Sequence, residues 1–452
     1  MKVINLEDSS NTRSKRYKQT ALGMTLAILV GAGSGFVATI FQIFLDFIFY
    51  LRNILIHSKL TEYIPWEVIA FFMGAILAAI GYFLVISYAQ ESGGSGVPEI
   101  EGALEDKRPV RWKRVLPVKF IGCLGTLGSG MMLGREGPSI QIGANLAKMF
   151  TDIFKIKSDE ITHASLAVGA SAGLTAAFNA PLASVVFIME EMRYCFKYTI
   201  LSISMVTAGV ISSDIVYRLL MGQGPVSVVH IFNKQSIESL WLYVVFGIFI
   251  GFCGYLFNRF IFKVIALFKK FYKYKKYRFV LVGFILGGTF GILLTFNPGL
   301  SKGGLDYASV FLSHKYSIAG ILSIFVLRFI LASVCFGSGA PGGIFAPLLS
   351  VGTVAGVSFG MICSHLFNFS PTLGAVLGII GMGALFGSTI RAPITGIILV
   401  LEITANYNLI LPMLITTLTG YMVSRIFDTK PLYTAILRAK LSSLNEPVWK
   451  LK

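Results

Sequence analysis

Charge is scarce in this chain, and negative charge is scarcest: Asp and Glu number 22 of 452 residues, Lys and Arg 39, and all four types together make up 13%. An ordinary soluble domain carries about 25%. The five cysteines (Cys123, Cys195, Cys253, Cys335, Cys363) lie far apart, in or beside apolar segments and without a CxxC pair. That argues against disulfides and zinc ligands and leaves small buried hydrophobes. The five histidines (His57, His163, His230, His314, His365) show no HxxxH or other ligand spacing, so no metal is expected and a structural role is assigned to them. GxxxxGK[ST] is absent and no βαβ pattern surrounds the glycine-rich stretches, which argues against a nucleotide or any other bound cofactor.

Apolar residues fill the space. They make up 55% of the chain, and the mean hydropathy is +0.74, the composition of an all-α polytopic membrane protein. The formal charge of +17 would suit nucleic acid, but the cations fall in short clusters between apolar stretches, as loops flanking membrane spans do. The first twenty residues are polar and basic, and the long apolar run behind them lacks a small-residue cleavage site, so a secretory signal is not expected. Runs near 21–51, 67–88, 199–220, 240–268, 279–296 and 317–336 match the roughly 20 residues of a spanning helix. Those at 115–150, 164–189, 344–367 and 372–424 are interrupted by Gly, Pro or paired charges. Broken backbone at membrane depth is tolerated only where it is buried in protein or lines a cavity.

Basic clusters lie at 2–18, 107–114 and 269–278, and after the last span at Arg425, Lys430, Arg438 and Lys440. The positive-inside rule makes all of them, and both termini, cytoplasmic. The expected organisation is a cytoplasmic N-terminal segment (1–20), a first membrane repeat (21–220), a second (221–424) and a cytoplasmic C-terminal segment (425–452). The repeat is visible where GASAGLTAAFNAPLASVVFIMEE (169–191) lies gaplessly on GMGALFGSTIRAPITGIILVLEI (381–403) at an offset of 212. GREGPSIQIG and GGIFAPLLSVG share the frame GxxxPxxxxG at an offset of 209. Discontinuous helices at matching places in two halves point to a transport site at their interface.

Three signatures carry chemistry: GGSGVPEIEGAL (93–104), GREGPSIQIGANL (134–146) and GSGAPGGIFAPLL (337–349). In each, glycines let the backbone turn and a helix begins directly after, so its N–H groups and roughly half a positive charge point back at the turn. That is an anion site without a full cation, which offsets desolvation while leaving exchange fast. Glu136 opens the second of these helices, where an anion would also prefer to sit. Ionised it can take the anion's place, and protonated it can leave, which would link proton binding to anion passage. The plainer alternative is that Glu136 caps its helix or pairs with Arg135.

Together GSGVPEIEGAL, GREGP and GGIFAP, in this order and at these distances, resemble the three signatures of the CLC family of chloride channels and proton-coupled chloride transporters. The resemblance extends from the first span to KPLYTAIL (430–437) and is greatest to bacterial H+/Cl− exchangers. It implies a fold of two inverted repeats with tilted and discontinuous helices, one pore per subunit, in a homodimer. It also implies that Ser95, Tyr433 and the backbone N–H groups of Ile344 and Phe345 bind the anion. By the same resemblance Glu136, set between Gly134, Gly137 and Pro138, is the external gate, Glu191 transfers protons inside, and Lys119 and Arg135 bias the field toward anions. Each residue has a plainer reading. Ser95 could cap its helix, Tyr433 could anchor at the interface, Phe345 could be core, and Glu191 could end a solvated helix. Glu402, the repeat counterpart of Glu190, is read as structural.

The function expected is a secondary active H+/Cl− antiporter. A passive chloride channel on the same fold and an exchanger of related anions such as nitrate are the alternatives. Ser95 stands where nitrate-preferring relatives carry proline, and Val97 where isoleucine is common. A membrane enzyme would need a nucleophile with a base, and no histidine lies near any signature. The chain ends soon after KPLYTAIL, so no large regulatory module and no nucleotide control are expected. The bacterial inner membrane is the expected location, with chloride, protons and the bilayer as partners.

Overall fold

The computed structural model describes residues 6–193, 196–222, 237–273, 275–304, 311, 316–370, 372–427 and 430–444, with side chains from residue 18 on except at 60, 443 and 444. Cys195, His230 and His314 lie outside the described residues. Ten helices among those described are long and apolar enough to cross a membrane.

The first half runs α1 (Leu6–Ile56), α2 (Trp66–Tyr88), α3 (Val97–Leu104), α4 (Trp112–Gly128), α5 (Glu136–Ile153), α6 (Asp159–Phe178), α7 (Pro181–Glu191) and α8 (Ile200–Met221). The second half runs α9 (Leu240–Tyr272), α10 (Lys276–Phe296), α11 (Ile318–Gly337), α12 (Phe345–Phe367), α13 (Leu373–Ile390), α14 (Pro393–Thr404) and α15 (Ile410–Ile426), and α16 (Leu432–Leu444) follows. With its 51 residues α1 far exceeds the length a bilayer requires. At only 8 and 11 residues α3 and α7 cannot span, so their ends must be satisfied inside the protein.

Helix boundaries repeat the sequence offsets. α4 and α11 end at Gly128 and Gly337, each followed by a serine with nearly the same backbone angles. α6 and α13 each end on a left-handed cap, Asn179 and Arg391, before a proline opens the next helix. The two halves are inverted, as α7 and α14 show most directly. Glu190, near the end of α7, accepts from the N–H groups of Ile394 (3.1 Å) and Thr395 (2.7 Å) at the start of α14. Glu402, near the end of α14, accepts from Leu182 (2.9 Å) and Ala183 (2.7 Å) at the start of α7. Such mutual capping requires antiparallel helices related by a two-fold axis. It also satisfies N–H groups that lipid could not.

Close helix packing accounts for much of the glycine. A Cβ on Gly143 would lie 2.0 Å from Gly169 O, and one on Gly352 would lie 2.2 Å from Gly381 O, the same contact in both halves. The 344–367 stretch departs from the expected interruption, because α12 runs unbroken through it. Pro347 sits in the first turn, where no intrahelical N–H bond is lost. Gly352 and Gly356 seat α13 against the helix face, with a Cβ on Gly356 meeting Leu377 O at 2.0 Å. Cys123, Cys253, Cys335 and Cys363 are free and buried, as expected.

Candidate anion and proton site

Three glycine-rich turns meet where α3, α5 and α12 begin. Gly94 bridges to Pro341 and Gly134 to Gly343. In the second bridge Gly134 N–H donates to Gly343 O at 2.8 Å, and Gly343 N–H to Gly134 O at 2.7 Å. A Cβ on Gly137 would come within 2.3 Å of Ser95 Oγ, so the α3 turn abuts the start of α5. Gly96, at φ +94°, turns the chain directly into α3. All three signatures therefore converge on one buried centre.

Glu136 is the first residue of α5. It reaches across to α12, where Oε2 accepts from Ala346 N–H at 3.4 Å. The acid thus occupies the N-terminal end of the helix that Ile344 and Phe345 open, beside N–H groups that have no acceptor within the helix. Arg135 points to the end of α6 and donates to Ala177 O at 3.0 Å.

Ser95 and Tyr433 bound the same centre. Their hydroxyls are neighbours, yet neither has a partner at hydrogen-bond geometry among the described residues, and both are buried. Two donors left open in an apolar interior are costly unless something they can bind enters. The Tyr433 ring lies 6.5 Å from that of Phe345, and Phe345 packs on Phe386 at 4.5 Å and Phe187 at 5.4 Å. The side chain of Phe345 is core, while its backbone faces the site.

Lys119 is fully buried under the α3 turn and donates to Ser92 O (3.0 Å) and Gly94 O (2.6 Å). It shapes the loop that carries Ser95 and brings a whole positive charge close to it. Glu191 ends α7, is buried, and leaves Oε1 without a hydrogen-bond partner among the described residues. Sequence reasoning missed the clamp that holds α16 in place. Thr434 donates to Glu101 at 2.9 Å, while Glu99 accepts from Lys440 and Arg108, each at 2.8 Å. The acids of VPEIEGAL were the available signal, being two carboxylates on an otherwise apolar eight-residue helix.

A membrane protein of inverted halves, in which α3, α5 and α12 begin at one buried centre between the two repeats, belongs to the class of anion-conducting carriers and channels. The sequence profile of the voltage gated chloride channel family matches residues 76–425, and the chain belongs to that family. The H(+)/Cl(−) exchange transporter ClcA of Yersinia pestis bv. Antiqua (strain Angola) is 46% identical over 429 residues, which cover 94% of this chain and 89% of that protein. The protein of the same name from Salmonella paratyphi A is 46% identical over 92% of this chain and 88% of its own length. Among solved structures, a slow cyanobacterial Cl−/H+ antiporter superposes with a TM-score of 0.88 at 35% identity, covering 94% of this chain and 99% of that one. A CLC-type fluoride/proton antiporter shares the fold alone, with a TM-score of 0.70 at 19% identity over 91% of this chain and 97% of its own.

Proposed function

We propose that the chain is a secondary active transporter exchanging chloride for protons, with Glu136 as the group both ions share. The observation that carries this reading is the Glu136 carboxylate lodged at the N-terminus of α12, opposite the open hydroxyls of Ser95 and Tyr433. An anion held by those hydroxyls and by the Ile344 and Phe345 N–H groups would compete with the carboxylate for the same positive helix end. Protonating Glu136 removes its charge, releases it from that end and opens the way. Glu191, buried at the end of α7, receives the proton on the other side, and Lys119 and Arg135 keep the field favourable to anions. The exchange names of relatives that are nearly half identical along almost the whole chain support the same reading.

The remaining assignments belong with this one. The protein works as a homodimer with one pore in each copy, in a bacterial inner membrane, with both termini cytoplasmic. The two repeats divide near residue 221. The test is reconstitution in liposomes under a chloride gradient. Wild type drives protons uphill, and Glu136→Gln keeps chloride flux but moves no protons. Chloride flux without proton movement in the wild type would establish the channel alternative.

A further inference from the structure

The repeat extends further than the signatures. KFIGCLGTLGSG (119–130) lies without a gap on RFILASVCFGSG (328–339), at the offset of 209 that relates GREGP to GGIFAP. Lys119 thereby falls on Arg328, and the match holds in three dimensions. Both residues are fully buried on their helices, α4 and α11. Gly130 and Gly339, at the ends of the matched segments, have φ of +89° and +82°. The acceptors match as well: Lys119 donates to Gly94 O, and Arg328 donates to Gly303 O at 3.2 Å and also to Gly299 O. Gly303 is Gly94 displaced by the same 209 residues.

The loop that Arg328 holds rests directly on the gate. Lys302 N–H donates to Gly130 O at 2.9 Å, and a Cβ on Gly303 would meet Ala346 Cβ at 2.9 Å and Leu133 O at 3.1 Å. Ala346 supplies the N–H that holds Glu136, and Leu133 precedes the Gly134–Gly343 bridge. Behind the loop, Arg328 lies 5.6 Å from the centre of the Phe311 ring, and Gly304 at φ +83° leaves no room for a side chain against the guanidinium. Because α10 crosses from the basic 269–278 turn, the loop after it lies on the outer side.

We infer that Arg328 and residues 297–304 form an outer latch that fixes the start of α12 relative to α5 and so sets how firmly Glu136 is held. Arg328 is a positioning residue for the exchange, the outer counterpart of Lys119 beneath Ser95. The inference rests on Glu136 being the shared gate. Loosening the latch lets the carboxylate leave its seat without a proton, so chloride passes uncoupled.

The experiment measures chloride and proton fluxes in liposomes for Arg328→Met, Arg328→Lys and Gly303→Ala, with Arg328→Met repeated on Glu136→Gln. Arg328→Met and Gly303→Ala are expected to raise the chloride moved per proton on the order of fivefold, the low end of coupling between linked sites. Arg328→Lys, which keeps a cation able to donate to the Gly299 and Gly303 carbonyls, stays near wild type. On Glu136→Gln, Arg328→Met changes chloride flux no further. The latch is overturned if Arg328→Met and Gly303→Ala leave the ratio unchanged, or if Arg328→Met raises chloride flux equally with and without Glu136, which would place its effect on the pore. A wild type that moves no protons sinks the exchange reading instead, and the comparison of chloride fluxes with and without Glu136 still decides the latch.

Discussion

At the scale of single residues, GREGP was legible because an acid beside glycine and proline in an apolar chain has few roles. The direction of Glu136 was not legible. A sequence places it at the start of its own helix, and only the fold shows its carboxylate at the start of another, on Ala346 N–H. Ser95 and Tyr433 are 338 positions apart in the chain and meet only because Lys440 and Thr434 tie α16 to α3. Two predictions belong here. Ser95→Pro removes a hydroxyl donor that would face a charged ligand, an interaction on the order of 1.5–3 kcal/mol. Chloride affinity, measured by titration calorimetry, should fall about tenfold or more, with nitrate gaining relative to chloride in exchange assays; unchanged selectivity would remove Ser95 from the anion site. Glu191→Gln should retain chloride flux and abolish proton pumping, and pumping that survives would send the inner proton by another route.

At the scale of elements, the repeat was readable as matched prolines and glutamates, but its inversion was not, since identity carries no direction. The reason Glu190 and Glu402 recur is geometric, because each caps the short helix that ends in the other. Glu402 therefore has the structural role expected of it, and the same role extends to Glu190. In the sequence the glycines of 344–367 suggest interruptions, because glycine marks both a break and a close approach. The neighbouring helix decides which, and here α13 does. Glu402→Ala strips two charge-assisted acceptors from the start of α7, and about 2–4 kcal/mol of stability goes with them. Thermal unfolding in detergent should show a clear drop in midpoint, with Glu402→Gln intermediate. A midpoint equal to wild type would mean that water can satisfy Leu182 and Ala183, and that α7 is not sealed at that end.

At the scale of the whole molecule, two inverted halves look alike from either side of the membrane, so the fold alone does not say which way the protein faces. Charge breaks the tie. The 107–114 and 269–278 clusters and the cations after the last span lie at turns that the helix order places on one side, and the intervening turns at 57–65 and 297–304 carry few. Under the proposed orientation, the net charge of +17 sets which side faces the cytoplasm more than it marks a binding surface. If the proposed orientation is correct, a single cysteine replacing Tyr277, exposed beside the α9–α10 turn, reacts with a membrane-impermeant maleimide in inverted vesicles and not in sealed cells. One replacing Tyr63, exposed between α1 and α2, reacts only from outside. The reverse pattern would leave the anion site intact but exchange the two ends of the proton path, putting Glu136 and the Arg328 latch inside and Glu191 outside. Chloride flux measured on unsorted vesicles would not register that exchange. Proton coupling in vesicles sorted by orientation would, because the side on which acid opens the Glu136 gate would move with it.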